Sequence, residues 1–330
     1  MSDLFLGAGQ RSECCLNLFS YRHGSLRSGG FAQRYKNYSI DIDRAILINV
    51  TKVADPRRSC RGADVTVQGD RLIEASEGPA FAVRRPGGAS EVVLVCEHAS
   101  RTMPKALGTL GLDQAALESH IAWDIGAMGV AERLSDLLDA TLISQRFSRL
   151  AYDCNRPPES ADAYPERSEV FEVPGNRALD LGDRSRRTAA LYDPFHRAIE
   201  TVLDERTTQG RAVVLVTVHS FTPVYFGKSR DGFLGILHDE DSRLADAMLD
   251  AAAAAQLERV SRNYPYGPED GVTHTLKRHG LTRQIGNVML EIRNDLISAE
   301  AGQLVWAERI AGLLRVALER LTDEGGRRHA

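Results

Sequence analysis

Three apolar runs in this chain stop on ionisable residues. VVLVC at 92–96 is followed at once by Glu97 and His98. VVLVTV at 213–218 is followed by His219 and Ser220, and VMLEI at 288–292 carries Glu291 beside Arg293, Asn294 and Asp295. A fourth segment, SRLAYDCNR at 148–156, supplies Arg149, Asp153, Asn155 and Arg156. HIAWDIGA adds His120 and Asp124 at i, i+4, a spacing that places both on one face if the segment is helical. Two imidazoles with carboxylates nearby match the needs of a zinc hydrolase. Such a site has three nitrogen or oxygen ligands, one open position for water, and a separate carboxylate to take the water's proton. Arginines suit an anionic substrate because the guanidinium grips a carboxylate with two parallel bonds.

The ligands are scattered. There is no H-E-x-x-H, and three residues after His98 comes Arg101 rather than an acid. Spacing alone therefore leaves the ligand set open. His274 and His279 fall in a Gly-containing stretch, GVTHTLKRHG, where a surface role competes with a role in the site.

The residues need a scaffold that brings strand ends together. Strand-like runs at 92–96, 141–144, 213–218, 233–237 and 288–292 alternate with stretches of helical spacing. The helical stretches run from Ile121 to Leu138, Ala189 to Leu203, Ser242 to Leu257 and Ala301 to Leu321, with Asp239 or Asp241 as a cap for the third. Near-continuous apolar strands separated by helices predict an α/β fold of three layers. Its central sheet is mainly parallel or mixed, with helices on both faces. Ligands of such sheets sit beyond the carboxyl ends of the strands, which is where these residues stand.

The chain has 330 residues, is 43% hydrophobic and carries a net charge of −4. That length supports a sizeable core, and the charge gives no reason to expect nucleic acid or an anionic membrane as partner. No run approaches the roughly 20 apolar residues of a membrane span. Residues 1–72 lack periodicity and hold more basic than acidic residues. They are expected to form a poorly ordered extension, or to lie upstream of the true start, leaving one catalytic domain over 73–330. The start MSDLFLGAGQRSECC lacks the basic opening and long apolar run of a secretory signal. Five cysteines without paired spacing suit reduced thiols and a cytoplasmic setting.

Taken in order, CEHAS, WDIGA, SRLAYDCNR, VHSFTP, NYPYGPEDGVTHTLKRHG and MLEIRNDLI resemble the N-formylglutamate amidohydrolase family over roughly residues 73–320. The fold of that family is similar to that of the zinc carboxypeptidases. VHSFTP resembles the stretch that carries a zinc-binding histidine in those enzymes, CNR their Asn-Arg pair for a terminal carboxylate, and EIRND the region of their catalytic glutamate. The chain departs from their pattern in lacking an acid three residues after the first histidine.

The resemblance implies hydrolysis of an N-acyl amino acid, with N-formyl-L-glutamate as leading substrate and formate and glutamate as products. One zinc per chain, or another divalent ion, would be held by His98, His219 and a third ligand, Asp124 or else Glu97. Glu291 is the expected general base. Asn155 and Arg156 are expected to hold the α-carboxylate, and Arg149 or Arg293 a side-chain carboxylate. The partner is thus a small anionic molecule. Two alternatives keep other parts of the reading: a deacylase or peptidase acting on a different amide, and a metal-free binding module for an acidic metabolite.

Overall fold

The structure, a computed structural model, describes residues 71–328, with side chains described to residue 322. The expected extension at 1–72 lies outside the described residues except for Arg71 and Leu72.

In chain order the strands are β1 (Phe81–Arg84), β2 (Val92–Cys96), β3 (Thr141–Gln145), β4 (Arg167–Ser168), β5 (Phe171–Glu172), β6 (Val214–Phe221), β7 (Val224–Tyr225), β8 (Lys228–Ser229), β9 (Leu234–Leu237), β10 (Val260–Arg262) and β11 (Gly286–Arg293). The α-helices are α1 (Gln114–Glu118), α2 (Ala127–Leu138), α3 (Leu181–Arg187), α4 (Asp193–Thr208), α5 (Arg243–Ala254) and α6 (Glu300–Arg328). Seven strands form one sheet in the order β1-β3-β2-β6-β11-β9-β10, while β4-β5 and β7-β8 are separate two-stranded ribbons. Strands β3, β2, β6 and β11 run parallel, β1 pairs antiparallel with β3 and β9 with β11, and β10 is parallel to β9. The expected α/β fold is therefore present with a mixed sheet. The short edge strands β1 and β10 escaped the sequence reading because three or four residues carry no measurable alternation.

Both sheet faces are covered. Val92, Leu94, Val216, Val218, Val288 and Leu290 pack on one side with residues of α2, α5 and α6, such as Leu134, Met248 and Ile310. Val93, Val95, Leu215 and Met289 pack on the other with Phe195, Ile199 and Leu203 of α4. Strand β2 is buried at every position, which is why its sequence reads as a continuous apolar run rather than an alternating one.

Three boundaries differ from the sequence reading. His219 lies inside β6 rather than just past its end, while Glu291 lies inside β11 as expected. Helix α5 has Ser242 as its N-cap, and Asp241 instead accepts the Arg243 N–H and its guanidinium. The helix expected from Ile121 starts only at Ala127. Gly126 adopts φ 81°, and a Cβ there would collide with the Ile297 carbonyl oxygen, so only glycine fits this turn. His120 and Asp124 consequently do not share a helix face.

Candidate active site

Alternation along the strands explains how the chemistry arises. On the face that α4 covers, the apolar positions give way to ionisable ones as the strands run to their carboxyl ends. Val93 and Val95 lead to Glu97, Leu215 and Thr217 to His219, and Met289 to Glu291. Strand register then sets His219 directly opposite Glu291. His98 follows in the turn after β2. Asp124 arrives from the turn before α2, where its N–H donates to the His98 carbonyl at 3.0 Å. Exposure is 1% for Glu97 and His219, 3% for His98 and Glu291, and 4% for Asp124, so none of these polar groups has bulk water to satisfy it.

Two imidazoles and one carboxylate converge. Asp124 Oδ2 lies 2.9 Å from His219 Nδ1 and 3.3 Å from His98 Nδ1. One ligand atom from each of the three residues falls within 4.8 Å of the others. The far nitrogen of each ring meets another carboxylate. His98 Nε2 is 2.8 Å from Asp153 Oδ1, and His219 Nε2 is 3.1 Å from Glu97 Oε2, the latter off the line of a hydrogen bond. This is the arrangement expected of metal-ligating histidines, whose second nitrogen is normally fixed by a carboxylate. The donor set of two nitrogens and one oxygen fits a catalytic divalent cation. Glu97, the alternative third ligand, stands behind His219 instead. Asp153 was present in the sequence segment without a role; here it backs His98.

The same packing sets the charges. Burial pushes the Asp153 and Asp124 carboxyls up, but the cations around them win and both end below the usual carboxylate range. For Asp153 the chief partner is Arg149, and for Asp124 it is His98. Burial also pushes the His219 ring down, yet Glu97 and Asp124 hold it well above its ordinary value. Such a cage of anions favours a positive charge at its centre, and a metal ion would take the place of the ring protons. Arg149 binds Asp153 Oδ2 through Nη2 at 2.6 Å and Asp124 Oδ1 through Nη1 at 3.3 Å. Its charge is thereby spent on the cage.

Glu291 behaves differently. Burial drives its carboxyl up from 4.5 to about 7, with His219 opposing and Asp124 reinforcing the shift. Its Oε2 is buried without a hydrogen-bond partner. An unsatisfied carboxylate oxygen with this proton affinity, beside a cation site, is suited to accept a proton near neutral pH.

These groups open onto a cavity of about 320 Å³, whose wall includes His98, Asp124, His219, Glu291, Arg149, Asn155 and Arg156. Arg156 donates through Nη1 to the carbonyls of Gly271 (2.7 Å) and Asn155 (3.1 Å). Asn155 is partly committed: its Nδ2 donates to the Val272 carbonyl and its Oδ1 accepts the Thr275 N–H, leaving one N–H to offer. Arg293 does not line the cavity. Its Nε and Nη2 lie 2.8 and 3.2 Å from the two oxygens of Asp295, and it rests on Phe233. His120 reaches the wall but pairs with Glu169 at 2.9 Å, and His279 is buried against His196, 2.7 Å away. Tyr225 and Tyr266 also line the cavity. Tyr225 carried no sequence signal, whereas Tyr266 lies in the NYPYGPEDG stretch that carries the family resemblance but had no role assigned to it.

Comparison with known proteins identifies the fold and the family. The chain is 54% identical to a gene product from Agrobacterium tumefaciens of known structure, over 76% of this chain and 100% of that one, with a TM-score of 0.75. It shares its fold with an N-formylglutamate amidohydrolase from Ralstonia eutropha, at 18% identity and a TM-score of 0.51, over 76% of this chain and 99% of that one. No curated relative matches the sequence. The family profile of N-formylglutamate amidohydrolase matches residues 90–298. That span opens just before β2 and closes just after β11, so every strand that carries a site residue falls inside it, and the protein belongs to the N-formylglutamate amidohydrolase family, as a hydrolase of the amide bond of acyl amino acids.

Proposed function

We propose that the protein is a metal-dependent hydrolase of N-formyl-L-glutamate, releasing formate and L-glutamate. The observation that carries this reading is the pairing, in strand register, of an unsatisfied buried carboxylate (Glu291) with a histidine of the convergent His98-Asp124-His219 group. A zinc ion held by these three residues would supply a Lewis acid for the formyl carbonyl and lower the pKa of a water towards about 7.

The chain's own residues do the rest. Glu291 takes a proton from the attacking water at Oε2 and later gives it to the leaving nitrogen. Such acid–base work contributes about 10²–10⁴-fold. Asp153 and Glu97 hold the two rings in orientation through their far nitrogens. Arg156 and the remaining N–H of Asn155 face the α-carboxylate. Arg149 locks Asp124 and Asp153 in place. The substrate is a small anion, and a cavity of about 320 Å³ suits an acylated amino acid better than a long peptide. Among the described residues no helix is long and apolar enough to cross a membrane. The free, buried Cys96 and Cys154 support a reducing, cytoplasmic setting, which cell fractionation would check.

The test is metal content of the purified protein by mass spectrometry, with N-formylglutamate hydrolysis followed before and after chelation. About one zinc per chain, and activity lost with chelator and restored by zinc, are expected. Turnover untouched by exhaustive metal removal would end the metal assignment. Metal without turnover would end the substrate assignment.

A further inference from the structure

A substrate with two carboxylates needs two cations that are not already neutralised. Arg149 is not available: its guanidinium sits on Asp124 and Asp153. Moving it onto a substrate would leave a buried carboxylate of the cage without its partner, which is strongly unfavourable. Arg293 is closed off by Asp295. Of the arginines expected to bind substrate, that leaves Arg156, whose Nη1 serves two backbone carbonyls while Nε and Nη2 have no partner among the described residues.

Arg230 is a cation the sequence did not point to. It sits in KSRDG, just past β8, and reads as a turn residue. Its backbone is pinned, with its N–H donating to Pro223 O at 2.8 Å and its carbonyl accepting Arg293 Nη1 at 3.4 Å. Its guanidinium carbon lies 4.3 Å from the ring centre of Tyr225 and 4.8 Å from that of Tyr266. Both rings belong to the cavity wall, and Arg230 itself adjoins that wall through them rather than lining it. Nη1 donates to the Tyr266 hydroxyl at 3.0 Å. No carboxylate pairs with Arg230 among the described residues. Clamping between two rings removes rotamer freedom before a ligand arrives and leaves the fork edge of the guanidinium for an anion.

We propose that Arg230, held between Tyr225 and Tyr266, binds the second carboxylate of the substrate and so selects dianionic N-acyl amino acids over their neutral-side-chain counterparts. This deepens the functional reading above and rests on it. Arg156 takes the α-carboxylate, and Arg230 takes the side-chain carboxylate together with the hydroxyl of Tyr266, whose oxygen already accepts from Arg230 and whose own proton is free to donate. The selectivity arises because an amide in place of the carboxylate leaves a clamped, partly desolvated guanidinium without its charge-assisted pair.

The experiment compares kcat/KM for N-formyl-L-glutamate and N-formyl-L-glutamine in the zinc-loaded wild type, Arg230→Met and Arg230→Lys. The same two ligands are titrated calorimetrically against zinc-loaded Glu291→Gln protein, with and without Arg230→Met. The wild type should prefer the dianion by at least about tenfold. Arg230→Met should lose about 10–100-fold on the glutamate compound, mostly through KM, and much less on the glutamine compound. Arg230→Lys should keep part of the preference. Equal losses on both compounds would show that Arg230 only props the two tyrosines, and an unchanged preference would remove it from the site; either result overturns the proposal while leaving the hydrolase reading intact. If the wild type hydrolyses neither compound, the N-formylglutamate assignment fails and calorimetry decides for Arg230. Tighter binding of the dianion that vanishes in Arg230→Met sustains it. Equal binding, or none, overturns it.

Discussion

The two faces of the central sheet are made by the same strands and could hardly differ more. On the side of α2, α5 and α6, strand β11 presents Val288, Leu290 and Ile292 and stays apolar to its end. On the side of α4 it presents Met289 and then Glu291. The same contrast holds in β6, with Val214, Val216 and Val218 on one face and Leu215, Thr217 and His219 on the other. Because successive side chains point in opposite directions, one stretch of backbone carries a stability code and a reactivity code at once. The apolar face anchors the strand so that the polar face can hold groups that burial makes unstable.

Substitutions at neighbouring residues separate the two codes. The largest effect is expected from Glu291→Gln, which should cut kcat by about 10²–10⁴-fold while zinc content by mass spectrometry stays at the wild-type level. Full activity in that variant would remove Glu291 as the base. One residue earlier, Leu290→Ala should do the reverse. It should cost about 2–5 kcal/mol in urea unfolding, yet leave kcat of the folded fraction within a few-fold. A large loss of kcat with unchanged stability would mean that the two faces are not independent.

A third prediction concerns pH. In chelator, Glu291 has a folded pKa of about 7 against an ordinary 4.5. Below 4.5 it is protonated whether the chain is folded or not. Between 4.5 and 7 only the unfolded carboxyl ionises, so the folded protein loses stability as pH rises, and above 7 the loss is complete. The urea midpoint of Glu291→Gln minus that of the wild type should therefore grow from pH 4.5 to 7 and then level off; a flat difference curve would mean that burial does not strain this carboxyl. The smallest effect belongs to the groups behind the histidines. Asp153→Asn should weaken zinc affinity by about 10–100-fold in a competition titration, with kcat at saturating zinc much less affected. Unchanged affinity would show that His98 does not depend on Asp153.

The strands were legible because burial on both sides leaves long apolar runs, and the runs announced His98, His219 and Glu291 by where they changed character. Asp124 was legible as a residue but not as a geometry. The apolar spacing from Ile121 imitates a helix, whereas the left-handed Gly126 and the Asp124–His98 backbone bond make a turn. Asp153 and Glu97 could be seen but not assigned, because which acid backs which ring depends on contacts 55 and 122 residues apart in sequence, such as the Asp153–His98 and Glu97–His219 pairs. Arg293 was misplaced for a local reason: Asp295, two residues on, captures it. Arg230 left no trace, since two rings from separate segments give it its place.

The pairing of His219 with Glu291 on adjacent parallel strands has a consequence for how this chain can change over time. Their separation is counted in whole residues along a hydrogen-bonded ladder, so deleting a single residue within β11 before Glu291 would turn the acid towards the apolar layer. Length changes inside β6 or β11 should therefore be selected against. Insertions and losses can accumulate instead in the ribbons β4-β5 and β7-β8, from which Ser168 and Tyr225 reach the cavity wall. New substrates would then be acquired by redrawing those ribbons around chemistry that stays where it is.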